Sequence, residues 1–443
     1  MSTSIFKAYD IRGIYGTDLT DAMAYDIGRA FATHLGGTGK NIVIGRDVRP
    51  HSEPLFTALS NGLLDQGFNI IDLGHASTPM TYHANGKLHA DGSVMITASH
   101  NTGEWNGFKL CRKNAVPISG ATGIEKIEKI ITDNTFADKP ATCGTVTSHD
   151  ILPEYTTFIH SFPRPLAKLR VAADLANSMG IWESKTLDEA LDLDRLFDIP
   201  DGTFPNHEAN PMHAENLAQL HEKMKSADYA FGIAFDGDAD RVRFLDEKGD
   251  PIPMDLITAL IAREILALQQ GTIYYDLRSS RVVGEIIETC GGTPLLSRVG
   301  HSFIKQQMLE HNALFAGELS GHYYFKANFI CESAALAVLY VASIVARAGL
   351  PLSQIIAPLF KYFCSGEINT TVTAPPAEVF AKIKTAYAGA NIFELDGVSV
   401  ELEDYWFNVR ASNTEPLVRL NLEARTQALM ETKRDEILNL IKG

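Results

Sequence analysis

Three times in this chain an apolar strand runs into an aspartate, an apolar residue and a turn that opens a helix. The stretches are NIVIGRDVRP (residues 41–50), LRVAADLANSMG (169–180) and TIYYDLRSSR (272–281), with Asp47, Asp174 and Asp276 at matching places. The first copy continues through the amphipathic SEPLFTALSNGLLDQG into a second strand, FNIIDLG, which is the rhythm of a βαβ unit. A further match pairs GFNIIDLGHASTP with GGTPLLSRVGHSFIK, Gly74-His75 falling against Gly300-His301. Recurrence at such wide intervals predicts a duplicated α/β unit, its sheet mixed or mostly parallel and covered by helices on both faces.

The end of the chain has another character. Residues 367–389 open with an alternating strand, break at Pro375-Pro376 and continue as a helix. VSVELEDYWFNVRASNTEPLVRLNLEA (398–424) reads as two strands around a polar loop, before a charged closing helix. This is an α+β pattern with a small antiparallel sheet. Four units are therefore expected, 1–148, 149–248, 249–363 and 364–443, a number that 443 residues can accommodate.

Charge narrows the function. With 54 acidic against 39 basic residues the net charge is −15, which argues against nucleic acid or an anionic membrane as partner. A small anionic ligand held by local Arg and Lys stays compatible. Five cysteines without CxxC spacing give neither a disulfide framework nor a zinc site. The N-terminal stretch shows no secretory pattern, and the uncharged run 333–346 is too short to span a bilayer. A cytoplasmic protein with a buried helix at that run is the expectation.

Four motifs carry chemistry. TASHNTGEWNGFK (97–109) presents Ser99 on a loop too polar to pack as a helix or strand face. AFDGDADRVRFL (234–245) delivers Asp236, Asp238 and Asp240 from one apolar strand, followed by Arg241. Three carboxylates so close repel one another unless a cation neutralises them, and oxygen-only donors suit Mg²⁺ or Ca²⁺. An EF-hand loop is excluded, because Arg241 stands where its turn needs glycine. VRASNTEPLVRL (409–420) gathers Arg410, Ser412, Asn413, Thr414 and Arg419, donors that suit a phosphate monoester or, equally, a simple turn between strands. GELSGHYYF (317–325) offers Glu318, Ser320 and His322, a carboxylate and a hydroxyl fit for a vicinal diol. Tyr9, Arg12, Lys109 and Arg298 add a phenol and cations. The GxSxG elbow of serine hydrolases is absent, so Ser99 beside a carboxylate cluster points to phosphoryl transfer. A serine-dependent sugar phosphatase and a non-catalytic phosphosugar binder are the competing readings.

TASHN…NGFK, DGDADR, GELSGH and RASNTEP, in this order and across the whole chain, resemble the α-D-phosphohexomutase superfamily. The sugar loop is most similar to its bacterial phosphomannomutase/phosphoglucomutase branch, with Leu319 where that branch usually has Met; phosphoglucosamine mutase is the nearest alternative. The resemblance implies a heart-shaped molecule of three α/β domains and a TATA-box-binding-protein-like fourth around a central cleft. It implies Ser99 as the phosphoserine, with Asp236, Asp238 and Asp240 holding one Mg²⁺ together with an oxygen on Ser99. It places Arg12, His100 and Lys109 with Ser99 in catalysis. Tyr9, Arg241, Arg298, His301, Glu318, Ser320, His322 and the Arg410, Ser412, Asn413, Thr414 and Arg419 set are implied to bind substrate. The implied reaction interconverts hexose 1-phosphate and hexose 6-phosphate, chiefly of mannose and also of glucose, through a hexose 1,6-bisphosphate. The partner is then a small phosphosugar, and the enzyme a monomer or homodimer. Thr102 departs from the family's usual proline after TASHN, removing a stiffening of that loop.

Overall fold

A computed structural model describes residues 5–372, 374–411 and 417–442. The three strand-aspartate repeats lie on interior strands of three separate sheets. In the first, Asn41–Arg46 is flanked in parallel by Asn69–His75 and Gly92–Ile96, and Trp105–Arg112 returns antiparallel beside the latter. In the second, Leu169–Asp174 lies between Leu191–Leu196 and Phe231–Phe235, with Val242–Leu245 returning antiparallel. In the third, Thr272–Asp276 lies between Thr293–Ser297 and Phe315–Gly317, with Tyr323–Phe325 returning. The sheets are mixed and share a four-strand plan. The first also gains Ile11–Ile14, Val116–Pro117 and Val146–Ser148.

Each repeated aspartate begins the turn that releases its strand. One carboxylate oxygen accepts from the backbone N–H two residues on: Arg49 at 3.1 Å, Ala176 at 2.9 Å and Arg278 at 2.9 Å. These are Asx turns, and they explain why the same letter recurs at three strand ends. In every copy the strand that precedes the antiparallel return ends in a loop. Those loops are residues 97–104, 236–241 and 318–322, so the serine, carboxylate and sugar motifs occupy equivalent positions at carboxyl ends of strands.

One apolar core runs through parts of all three units, from Val43 and Met80 through Val171 and Phe235 to Leu339. The helix Ala334–Ala348 belongs to it and is buried along most of its length, as the uncharged run predicted. Among the described residues no single helix is long and apolar enough to cross a membrane. The last unit has its own core around Phe407, Leu420 and Ile437. Its sheet is wholly antiparallel, in the order Phe363–Thr371, Leu417–Ala424, Tyr405–Ala411, Val398–Glu401, Asn391–Phe393. The segment read as two strands is three: Leu402 N–H donates to the Tyr405 carbonyl (3.0 Å), closing a turn inside VELEDYW. The charged Glu-Asp pair in that stretch lies on the turn.

Candidate active site

Ser99 is buried, at φ = 52°, a left-handed backbone that costs a non-glycine residue energy and persists only where its surroundings hold it. Arg49 does much of that holding. Its guanidinium donates to the carbonyls of Ser99 (3.0 Å), Asn101 (2.7 Å), Thr102 (2.6 Å) and Trp105 (3.0 Å). Asp47 anchors that guanidinium at 3.0 Å. The loop is therefore clamped from below, and Thr102 sits within the clamp although it lacks proline's stiffness.

Gly237 allows the second loop to close on the first. A Cβ there would lie 2.4 Å from the Ser99 carbonyl oxygen, so no larger residue fits. With the loops in contact, Ser99 Oγ donates to Asp236 Oδ2 at 3.1 Å and lies 3.2 Å from His100 Nδ1. Oxygens of Asp236, Asp238 and Asp240 lie within 4.8 Å of one another, all buried. Lys109 reaches in from the returning strand, donating to Asp238 at 2.5 Å and Asp240 at 2.6 Å; Thr78 donates to Asp238 at 2.5 Å. Asp238 Oδ1 is buried and has no hydrogen-bond partner. Three oxygen donors, one of them orphaned, fit a hard divalent cation.

The electrostatics agree. Burial raises the Asp236 carboxyl well above its usual range, and Asp240 and Asp238 push it further. Burial works to lower Lys109, but Asp238 and Asp240 keep its ammonium charged. His100 is held well below its ordinary value by Arg241, by burial and by Arg12. Arg12 joins this side through Asn101 Oδ1 (2.8 Å) and is itself paired with Asp10.

A continuous polar path leaves this cluster. Asp240 Oδ1 lies 3.2 Å from His322 Nε2, and Arg241 Nε also reaches that nitrogen at 3.2 Å. His322 Nδ1 faces Ser320 Oγ (2.8 Å) and Glu318 Oε2 (3.1 Å). Glu318 also accepts from Tyr324 Oη (2.6 Å) and from Gly300 N–H (3.2 Å). Burial alone would raise Glu318; His322 and Tyr324 bring it to about 2. His322 is pushed up to about 9, Asp240 outweighing burial. Leu319 N–H reaches Asp276 Oδ2 at 3.4 Å, Asp276 pairs with Arg278, and Arg278 lies 3.5 Å from Glu367, which binds Arg410 at 2.6 Å and Arg419 at 3.1 Å.

A second cluster flanks the sugar loop. The Tyr9 and His301 rings are 5.7 Å apart, and the Arg298 guanidinium lies 3.8 Å over Phe303. His301 Nδ1 is buried without a hydrogen-bond partner, and burial with Lys305 and Lys109 nearby holds the ring neutral. A further grouping of Asp240, His322 and Glu332 is equally close, but Glu332 is engaged by Lys305 at 2.6 Å and His322 by two carboxylates.

Every expected site residue among those described thus joins one of three linked groups: Ser99 with the carboxylates, the sugar loop with its aromatic flank, or the arginines. Ser412, Asn413 and Thr414 lie outside the described residues. Sequence reading missed Arg49, Thr78, Arg278 and Glu367. For the two arginines a signal existed: both occupy the second place after the repeated aspartate, in DVR and DLR.

Four family models match successive parts of the chain. The chain matches the families described as phosphoglucomutase/phosphomannomutase alpha/beta/alpha domain I over residues 3–138, domain II over 153–249 and domain III over 253–363. The corresponding C-terminal domain matches residues 367–440. It is 39% identical over 443 residues to a phosphomannomutase of Methanocaldococcus jannaschii, covering 99% of this chain and 97% of that one. A phosphomannomutase of Vibrio cholerae is 38% identical over 455 residues, covering 99% and 98%. The crystal structure of a phosphoglucomutase/phosphomannomutase family protein from Burkholderia thailandensis superposes with a TM-score of 0.91 at 31% identity, covering 99% and 97%.

Proposed function

This chain belongs to the phosphoglucomutase/phosphomannomutase family, and on that premise we propose that it is a phosphohexomutase interconverting hexose 1-phosphate and hexose 6-phosphate. Mannose is the hexose that its relatives' names favour. The observation that carries the reading is Ser99 Oγ at 3.1 Å from Asp236, inside a buried three-carboxylate cluster that a divalent cation fits.

In this reading Asp236, Asp238 and Asp240 hold one Mg²⁺ beside Ser99. When bound, that cation neutralises phosphate charge next to the serine. Phosphorylated Ser99 gives its phosphoryl group to a sugar hydroxyl: the P–Oγ bond breaks, a P–O bond to the sugar forms, and the hydroxyl proton passes to a base. His301, neutral and with Nδ1 unpartnered, suits the base; His322, raised above its ordinary value by Asp240, suits the acid that returns a proton. Glu318 and Ser320 accept and donate to adjacent sugar hydroxyls, and Arg410 and Arg419 grip the phosphate that is not reacting. The resulting hexose 1,6-bisphosphate turns end over end, and its other phosphate returns to Ser99. In the same reading Arg12, His100 and Lys109 serve the reacting end with Ser99, and Tyr9 and Arg298 bind the substrate. The enzyme acts in the cytoplasm on a free phosphosugar.

A coupled assay with mannose 1-phosphate and glucose 1-phosphate separately, with Mg²⁺ and catalytic bisphosphate, tests this by kcat/KM. Hexose 6-phosphate is the expected product. Free phosphate with no 6-phosphate would move the assignment to a sugar phosphatase.

A further inference from the structure

Arg410 and Arg419 are direct cross-strand partners in the last sheet. Two like charges placed opposite one another destabilise a sheet, so something must compensate them. The compensation comes from the third strand. Its pairing with Leu417–Ala424 slips between Cys364 and Glu367, a β-bulge with Gly366 at φ = 67°. Such a bulge re-aims the residue that follows. Glu367 Oε2 meets Arg410 Nη2 at 2.6 Å, and Oε1 meets Arg419 Nη1 at 3.1 Å. Arg278 of the preceding unit approaches Oε2 at 3.5 Å while Asp276 holds its other side. Burial works to raise the Glu367 carboxyl, but Arg410 and the other two guanidiniums keep it ionised.

One carboxylate with two oxygens thus sits among three guanidiniums, as the oxygens of a phosphate monoester would. The three cations face two carboxylates, Asp276 and Glu367, and keep a single net positive charge. Glu367 is also partly open to solvent, its side chain 27% exposed. Beside it lies a cavity of about 470 Å³ lined by Arg278, Leu319, Ser320, Gly366 and Glu367.

We propose that Glu367 is a resident stand-in for the substrate's phosphate. It keeps the three arginines gathered when no ligand is bound and swings aside when a phosphate enters. It thereby limits how tightly the non-reacting phosphate is held. The inference rests on the mutase reading, in which a bisphosphate must leave this grip to turn round; a fully cationic site would retain it.

The test is calorimetric titration of the full-length protein with inorganic phosphate and with mannose 6-phosphate, alongside steady-state kinetics. Glu367→Gln keeps the shape and removes the charge. It is expected to bind both ligands about tenfold more tightly, the scale of one partly solvated charge pair. Its kcat and KM should fall together, because release becomes slower. Glu394→Gln removes a charge from an exposed pair with Lys384 in the same unit and should change neither affinity. Unchanged or weaker phosphate binding in Glu367→Gln would overturn the proposal and leave Glu367 a structural strut. Should that variant fail to fold, Glu367→Asp withdraws the carboxylate by one methylene, and tightening of about threefold is expected; equal or weaker binding there overturns it as well. Tighter phosphate binding in a protein that interconverts no hexose phosphate would sink the mutase reading while upholding the displaced carboxylate.

Discussion

Around Ser99 three carboxylates gather deep in the protein; around Glu367 three guanidiniums gather on one partly exposed carboxylate. Asp236, Asp238 and Asp240 are packed among loops from two units, with Lys109 on Asp238 and Asp240, Arg241 3.5 Å from Asp236 and His322 3.2 Å from Asp240. Arg410, Arg419 and Arg278 converge across a unit boundary on Glu367. The buried side has to be built once, because uncompensated charge there is too costly to expose and rebury in each cycle. The arginine side can exchange its anion at lower cost, because Glu367 is partly exposed and an entering phosphate would meet the same guanidiniums. A site that must fix one phosphoryl group while releasing another needs both designs.

The largest effect should come from the nucleophile itself. Ser99→Ala is expected to lose turnover by about a thousandfold or more while binding mannose 6-phosphate within about twofold of wild type. Steady-state kinetics and calorimetry on the same preparation check this. Substantial turnover in that variant would break the comparison at its root.

Lys109→Met probes the cation already present. Without metal, two buried carboxylates lose their counter-charge, and unfolding free energy should fall by about 3 kcal/mol. Added Mg²⁺ should restore more stability to this variant than it adds to wild type, where the ammonium competes for the same oxygens. Denaturant titrations with and without Mg²⁺ decide it, and an equal Mg²⁺ effect in both proteins would contradict the shared site.

On the arginine side, Arg410→Gln should weaken hexose phosphate binding by about 2 kcal/mol, the worth of a charged hydrogen bond, with a smaller change in kcat. A loss confined to kcat would place Arg410 among the reacting groups.

A smaller effect isolates what burial does to a carboxyl that no cation among the described residues meets. Glu183 is fully buried, accepts from Ser77 Oγ at 2.5 Å and Tyr155 Oη at 3.4 Å, and is pushed up to about 8 by burial against those two hydrogen bonds. Its folded pKa lies above its unfolded one, so the folded protein keeps a proton that the unfolded chain releases. Stability should therefore decline as pH rises, by about 2 kcal/mol from about pH 6 to about pH 8, and level off above. Glu183→Gln should flatten that slope in urea titrations across the range; an unchanged slope would remove Glu183 as its source.

Legibility in the sequence followed contact range. The strand ends at Asp47, Asp174 and Asp276 could be read because an Asx turn is local, and their repetition gave away three equivalent sheets. Ser99, the three aspartates, Glu318 and His322 could be read because each motif is one loop. The clamp of Arg49 on the Ser99 loop, Thr78 on Asp238 and Glu367 among the arginines join residues 50, 160 and 43 or more positions apart. No periodicity records such pairings. The extra strand in the last sheet escaped for a different reason: the tight turn at Leu402–Tyr405 carries neither glycine nor proline to mark it.

The most direct measurement is the fate of a phosphoryl group at Ser99. The protein is incubated with mannose 1,6-bisphosphate and Mg²⁺, its Ser99 peptide is weighed by mass spectrometry, and the charged protein is then mixed with mannose 1-phosphate. One phosphoryl group on Ser99, discharged into new bisphosphate on adding the monophosphate, is the expected result. An unmodified Ser99, or discharge only into free phosphate, would contradict it.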